Sequence, residues 1–213
     1  MTDRIRTGVA AGEFDDNARM ARMDVIFANR YLDAAARFDA AAPTTAAWAV
    51  SFAAGSAWPP IVLQHLFLGM NAHINLDLGI AAAEVAPGQA LPSFQGDFFR
   101  INTILASLVG GVKDDLVAIW PLLGLLERAV GTTDDAVVNF SMGKARAAAW
   151  EFAQQLAALP TDRHAAAIAE KDAEVATFGR FLRQPGWVVE APLLLVRMSE
   201  RGTVPSKIDR LVN

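Results

Sequence analysis

The sequence predicts an all-α fold: a single domain, 1–213, of seven or eight helices packed around one long buried central helix. Three observations carry this expectation. Apolar residues recur at helical spacing, and no Val/Ile/Thr alternation bounded by turns marks a strand. Prolines, glycines and short acidic capping runs stand mainly between the periodic segments. Hydrophobic residues make up 53% of the chain, and much of that share is alanine, the strongest helix former.

The elements follow in order. Residues 1–13 are expected to be irregular. The first helix opens at Asp15–Asp16, whose carboxylates suit a helix N-terminus, and runs to about Asp39. A shorter helix starts after Pro43 and passes Trp48 and Phe52 to Gly55. Pro59-Pro60 starts the long helix, since proline is tolerated in a first turn, and Pro87-Gly88 stops it beyond Val85. A loop, Gln89–Pro92, leads to a helix from Ser93 to Val109, broken by Gly110-Gly111. Another runs from Asp114–Asp115 to Gly131 with a bend at Pro121. Helices then follow from Asp135 to Leu159, from Pro160-Thr161-Asp162 to about Gln184, and from Val188 to Glu200. The tail, 204–213, reads as irregular.

Composition narrows the function classes. The chain has no cysteine, which excludes disulfides, thiolate metal sites and a cysteine nucleophile. Net charge is −4, with both signs scattered, so no basic footprint for nucleic acid exists. The first residues lack the apolar core of a signal peptide. The stretch Leu116–Leu126 comes nearest to a membrane profile, but it is about half a bilayer span and holds Pro121. The expectation is a cytoplasmic protein without membrane or nucleic-acid partners, open to a small-molecule ligand or to homo-oligomerisation.

The central helix carries the chemistry. From Pro60 to Ala83 the only charged residue is Asp77, where a surface helix would show a charged stripe. At about 100° per residue, Leu63, Phe67, Met70, Ile74 and Leu78 share one apolar sector. Gln64, Asn71 and Asn75 form a second row, of side-chain amides. His73 and Asp77 form a third, one turn apart, and His65 lies roughly 12 Å along the axis from His73. Two histidines that far apart are not expected to share one metal ion. Buried amides and carboxylates need partners, so these six residues face either other polar groups or a polar cavity. Asp77 should be paired with His73, with Arg30, Arg100 or Arg146, or with a metal ion.

Other residues are weighed against plainer roles. Arg30 could serve Asp77 or lie on the surface, and Tyr31, the only tyrosine, could line a site or pack as a core ring. Asp97 and Arg100, three apart near Asn102, read as a surface ion pair. Arg146 and Trp150, four apart, could stack on each other or pack against a neighbouring helix. His164 reads as a surface histidine. Gly110-Gly111 has none of the sequence around it that a phosphate loop needs. No nucleophile elbow, His-Glu-x-x-His or paired Glu-x-x-His motif occurs.

The segments MDVIFANRYLDA (23–34) and LQHLFLGMNAHINLDL (63–78), with the 97–102 segment and KARAAAW (144–150), resemble a bacterial all-helical domain family of unknown function. The Asn-Ala-His-Ile-Asn-x-Asp-Leu run is its specific part, and the resemblance implies a helical fold without naming a reaction. His73-x-x-x-Asp77 is locally similar to a pair that holds zinc in helical zinc-dependent phospholipase C. That likeness implies at most a single divalent metal at His73 and Asp77, because the further histidines of those enzymes are missing.

The reading that follows is an enzyme of hydrolase, lyase or cyclase type acting on a small, largely apolar substrate. His73 is the general acid or base, oriented by Asp77. Gln64, His65, Asn71, Asn75, Arg30 and Tyr31 bind substrate, and no cofactor is required. The alternative is a non-catalytic ligand-binding or oligomeric module whose polar groups only satisfy one another.

Overall fold

The computed structural model describes residues 2–55, 57, 60–101, 142–186, 194, 197 and 198. Every regular element among them is helical. In chain order these are α1 (Thr2–Ala10), α2 (Asn17–Asp39), α3 (Ala46–Gly55) and α4 (Val62–Ala72), then a π-helical turn (His73–Asp77) and α5 (Leu78–Val85). A 3₁₀ helix (Gly88–Phe94) runs on into helical residues 95–101, followed by α6 (Met142–Ala158) and α7 (Thr161–Arg183). The helix expected between Asp114 and Gly131, the ends of its neighbours, and most of the stretch from Val188 onward lie outside the described residues.

Two segments expected to be irregular are helical. Residues 1–13 contain α1, which packs on α2. Ile5 and Phe14 are buried there, and Arg4 pairs with Glu13 at 2.8 Å. The loop expected at Gln89–Pro92 is part of the 3₁₀ helix. Burial of Leu91 and Phe94 holds this turn against the core, and a short 3₁₀ piece tolerates Pro92. Neither anchor shows helical periodicity over so short a span.

Helix starts are tied down both locally and at long range. Asp16 caps α2, accepting the Arg19 N–H at 2.9 Å. That backbone hydrogen bond is the main cause holding the Asp16 carboxyl below its usual range. Asp97 then takes the Asp15 and Asp16 N–H groups at 2.8 and 2.9 Å. It is buried, so the expected surface ion pair with Arg100 is instead a deep cap, with Arg100 3.1 Å away. Asp172 of α7 does the same for α3, accepting from Ala46 and Ala47 at 2.7 and 2.8 Å. Orphan N–H groups at both starts are thereby satisfied across the tertiary structure.

The run from α4 to α5 is the centre of the fold. Nearly every residue of α5 is buried. Helix α6 crosses it with a row of small side chains, Ala145, Ala149 and Ala153, spaced by four and all buried. Contact is close enough that a Cβ on Gly79 would lie 2.7 Å from the Ala149 carbonyl oxygen and 3.0 Å from the Phe152 ring. Helix α7 covers α3 and α4 on the other side. By length and composition Val62–Val85 could cross a bilayer, whereas the sequence alone points to Leu116–Leu126 as the stretch nearest to a membrane profile, at about half a span. However, 67% of the most apolar window of Val62–Val85 is buried inside the protein, as in a core helix.

Candidate functional site

Three helices point residues at one spot through i, i+3, i+4 spacing. Phe27, Arg30 and Tyr31 come from α2, Trp48, Ser51 and Phe52 from α3, and His65, Leu66, Gly69 and Met70 from α4. The π turn adds His73 and Asp77. It is closed by an i→i+5 bond from the Leu78 N–H to the His73 carbonyl. This wider turn interrupts the single straight helix that sequence periodicity predicts. Turns of this kind recur at functional sites.

Asp77 is 1% exposed and saturated with donors. Its Oδ1 accepts from Arg30 Nε at 2.8 Å, and its Oδ2 from Trp48 Nε1 at 2.8 Å. His73 Nδ1 lies 3.3 Å from Oδ2. The expected pairing of Asp77 is therefore present, with Arg30 and His73 as partners and the Trp48 indole as a third. An ionised carboxylate facing Arg30 assigns the imidazole proton to Nδ1. Nε2 is then the basic nitrogen, and no hydrogen bond engages it among the described residues.

A metal fits this centre poorly. Both Asp77 oxygens already accept hydrogen bonds, one from a guanidinium that would repel a cation. No group of three metal-ligating side chains exists among the described residues. The two Asp77 oxygens are thus taken up by Arg30, Trp48 and His73 rather than left open to a cation.

Above the His73–Asp77 pair lies a cavity of about 490 Å³. Among the described residues, Phe27, Tyr31, Trp48 and Phe52 supply its aromatic walls, and His65, Ser51, His73 and Arg146 its polar atoms. The His73 ring stacks on Phe27 with centroids 3.6 Å apart and planes 10° apart. Trp48 and Phe52 stack at 5.1 Å. Tyr31 packs beside Trp48 at 5.2 Å and keeps 43% of its surface exposed, at the rim.

The amide row takes no part in this lining. Asn71 Nδ2 donates to the Val175 carbonyl of α7 at 2.9 Å, and its Oδ1 accepts from Asn75 Nδ2 at 2.9 Å. Gln64 Oε1 accepts the Ile61 N–H at 3.0 Å, capping α4, and its Nε2 reaches the Leu182 and Arg183 carbonyls at the end of α7. Of the residues expected to bind substrate, His65 and Tyr31 line the cavity. Arg30 supports it through Asp77, while Gln64, Asn71 and Asn75 hold α4 and the π turn against α7. His164 is half-buried and lies 3.1 Å from the Leu159 carbonyl, remote in sequence from all of these.

Residues 1–185 match the family of unknown function DUF5995. The chain belongs to that family. No curated protein and no solved structure gives a match. The family's helical domain therefore includes the whole cavity described above, though the family name specifies no reaction.

Sequence reasoning did not place Phe27, Trp48, Ser51, Phe52 or Arg146 at the site. The sequence suggests a packing or stacking role for Arg146, or a place among the possible partners of Asp77, but not a place in the cavity wall. Arg146 is 1% exposed, lines the cavity, donates to the Phe98 carbonyl at 2.7 Å, and sits 4.8 Å over the Phe98 ring. Its Nε has no hydrogen-bond partner among the described residues, an omission that costs about 1–3 kcal/mol for a buried donor. Burial pushes the guanidinium down to about 10. Arginine in a row of buried alanines (Ala145, Ala149, Ala153) was the available signal.

Proposed function

We propose that the cavity binds a small, largely apolar molecule and that His73 transfers a proton to or from it, in a cytoplasmic enzyme. One observation carries this reading. His73 borders the cavity with Nδ1 held on buried Asp77, which leaves Nε2 as the basic nitrogen. A carboxylate that orients an imidazole and steadies its protonated form is the usual support for general acid–base work. Arg30 and Trp48 in turn keep Asp77 in place, so the ring has little freedom to turn. The aromatic walls offer a surface for a flat or hydrocarbon body, and the volume falls within the range of small-molecule sites.

Hydrolytic, lyase and cyclase reactions can each include a proton transfer of the kind such a base performs. The test is a turnover screen with aryl esters, hydroxy acids and unsaturated apolar substrates. His73→Ala should lose about 10²–10⁴-fold in rate, with an unchanged helical spectrum, while His164→Ala should keep full activity. Full activity in His73→Ala would sink the proposal.

A second reading is favoured by the Phe27–His73 stack at 3.6 Å. An imidazole with one face covered by a ring can serve as a wall of a binding box without doing chemistry. Ligand binding without turnover by the intact protein would favour this module over the enzyme.

A further inference from the structure

We infer that the ligand of this cavity is an anion, a small aromatic or alicyclic carboxylate whose acid group is received by Arg146. The inference rests on the cavity being a ligand site and adds the charge of the ligand and the residue that reads it.

The charge balance around the cavity points this way. Arg30 and Asp77 cancel each other in a 2.8 Å pair. Arg146 has no such partner: no carboxylate lies within ion-pair distance of it among the described residues. A guanidinium that is 1% exposed is costly to bury without an anion, and burial alone is what pulls its proton affinity down. Arg146 nevertheless reaches the cavity wall.

Its hydrogen bonds point the same way. The Phe98 carbonyl takes one donor on Nη2, and the Phe98 ring covers one face of the guanidinium. Those contacts orient the planar fork without neutralising it. Nε remains a buried donor without an acceptor among the described residues. A carboxylate supplies what is lacking, since it is planar, carries one negative charge, and accepts two parallel N–H bonds from one edge of an arginine. The rest of the ligand would lie against Phe27, Trp48 and Phe52, whose rings accept a hydrophobic body and offer it no counter-charge. A cationic ligand is disfavoured by Arg146 itself, and a dianionic phosphate would be left with a charge the apolar walls cannot solvate.

Calorimetric titration of the intact chain with matched pairs tests this: benzoate, 1-naphthoate and cyclohexanecarboxylate, each against its uncharged primary amide or alcohol. In the unaltered protein the acids should bind about tenfold or more tightly than their neutral counterparts. Arg146→Met should bring the acid down to the affinity of its neutral partner and leave that partner unchanged. Arg146→Lys, which keeps the charge and loses the fork, should fall between. Equal binding of acid and neutral partner would overturn the anion assignment while leaving the cavity as a ligand site. Absence of binding by every compound to millimolar concentration would overturn both. The comparison within the unaltered protein needs no variant, so misfolding of Arg146→Met would not remove the test. Tighter binding of 1-naphthyl phosphate than of 1-naphthoate would overturn the carboxylate assignment in favour of a phosphate.

Discussion

Two polar rows run along the same central helix and do opposite things. The amide row, Gln64, Asn71 and Asn75, is spent on the protein: one cap, one side-chain link and three backbone carbonyls of α7. The His73–Asp77 row is held by α2 and α3 and leaves one nitrogen beside a cavity. Neutral amides both donate and accept, so a neighbouring backbone can satisfy them completely. An ionised carboxylate only accepts, and it draws a cation and an imidazole to itself. The difference shows why counting polar residues on a buried helix overstates a binding site: neutral groups that can satisfy one another belong to packing first.

Substitutions can break this contrast, and the largest loss belongs to the charged row. Asp77→Ala strands Arg30, Trp48 and His73 together. It should cost about 3 kcal/mol, the low end for a broken buried pair because Arg30 keeps some water, in urea-induced unfolding. A midpoint equal to that of the unaltered protein would show that the pair contributes nothing.

Gly79→Ala probes the scaffold beneath both rows. Its Cβ would meet the Ala149 carbonyl at 2.7 Å, so α5 and α6 must separate. The expected loss is about 2 kcal/mol by the same measurement, and an unchanged or raised stability would refute the close crossing.

Next comes the amide row itself. Asn71→Ala leaves the Val175 carbonyl and the Asn75 amide without their partner, for about 1–2 kcal/mol. Ligand affinity at the cavity should stay within about twofold. A large drop in affinity with little loss of stability would move the amides back into the site.

The smallest stability effect is expected at His73, whose side chain is 26% exposed and whose bond to Asp77 is long at 3.3 Å. His73→Ala should change stability by less than about 1 kcal/mol while removing turnover. A loss as large as that of Asp77→Ala would make the histidine structural and reverse the comparison.

Much of this was readable from residue types and spacing. The absence of charge other than Asp77 between Pro60 and Ala83 marked a buried helix, and the cost of an unpaired carboxylate demanded a partner for Asp77. Arg30 and His73 were among the partners named, and both are found. Asp97 and Arg146 were misjudged because charged side chains are so seldom fully buried. Their burial depends on neighbours remote in sequence: Asp97 on the start of α2, and Arg146 on Phe98.

By itself, the chain's sequence determined the helical class, most helix limits among the described residues, and the need to compensate Asp77. Those follow from local periodicity, from where proline and glycine stand, and from the solvation of single groups. Tertiary structure alone decided the π turn at His73–Asp77, the diversion of the amide row to α7, and the placement of His73 and Arg146 in the wall of one cavity. Each depends on how α2, α3, α6 and α7 meet the central helix. A helical repeat of about 3.6 residues shows which residues share a face, but not which helix or cavity that face will meet.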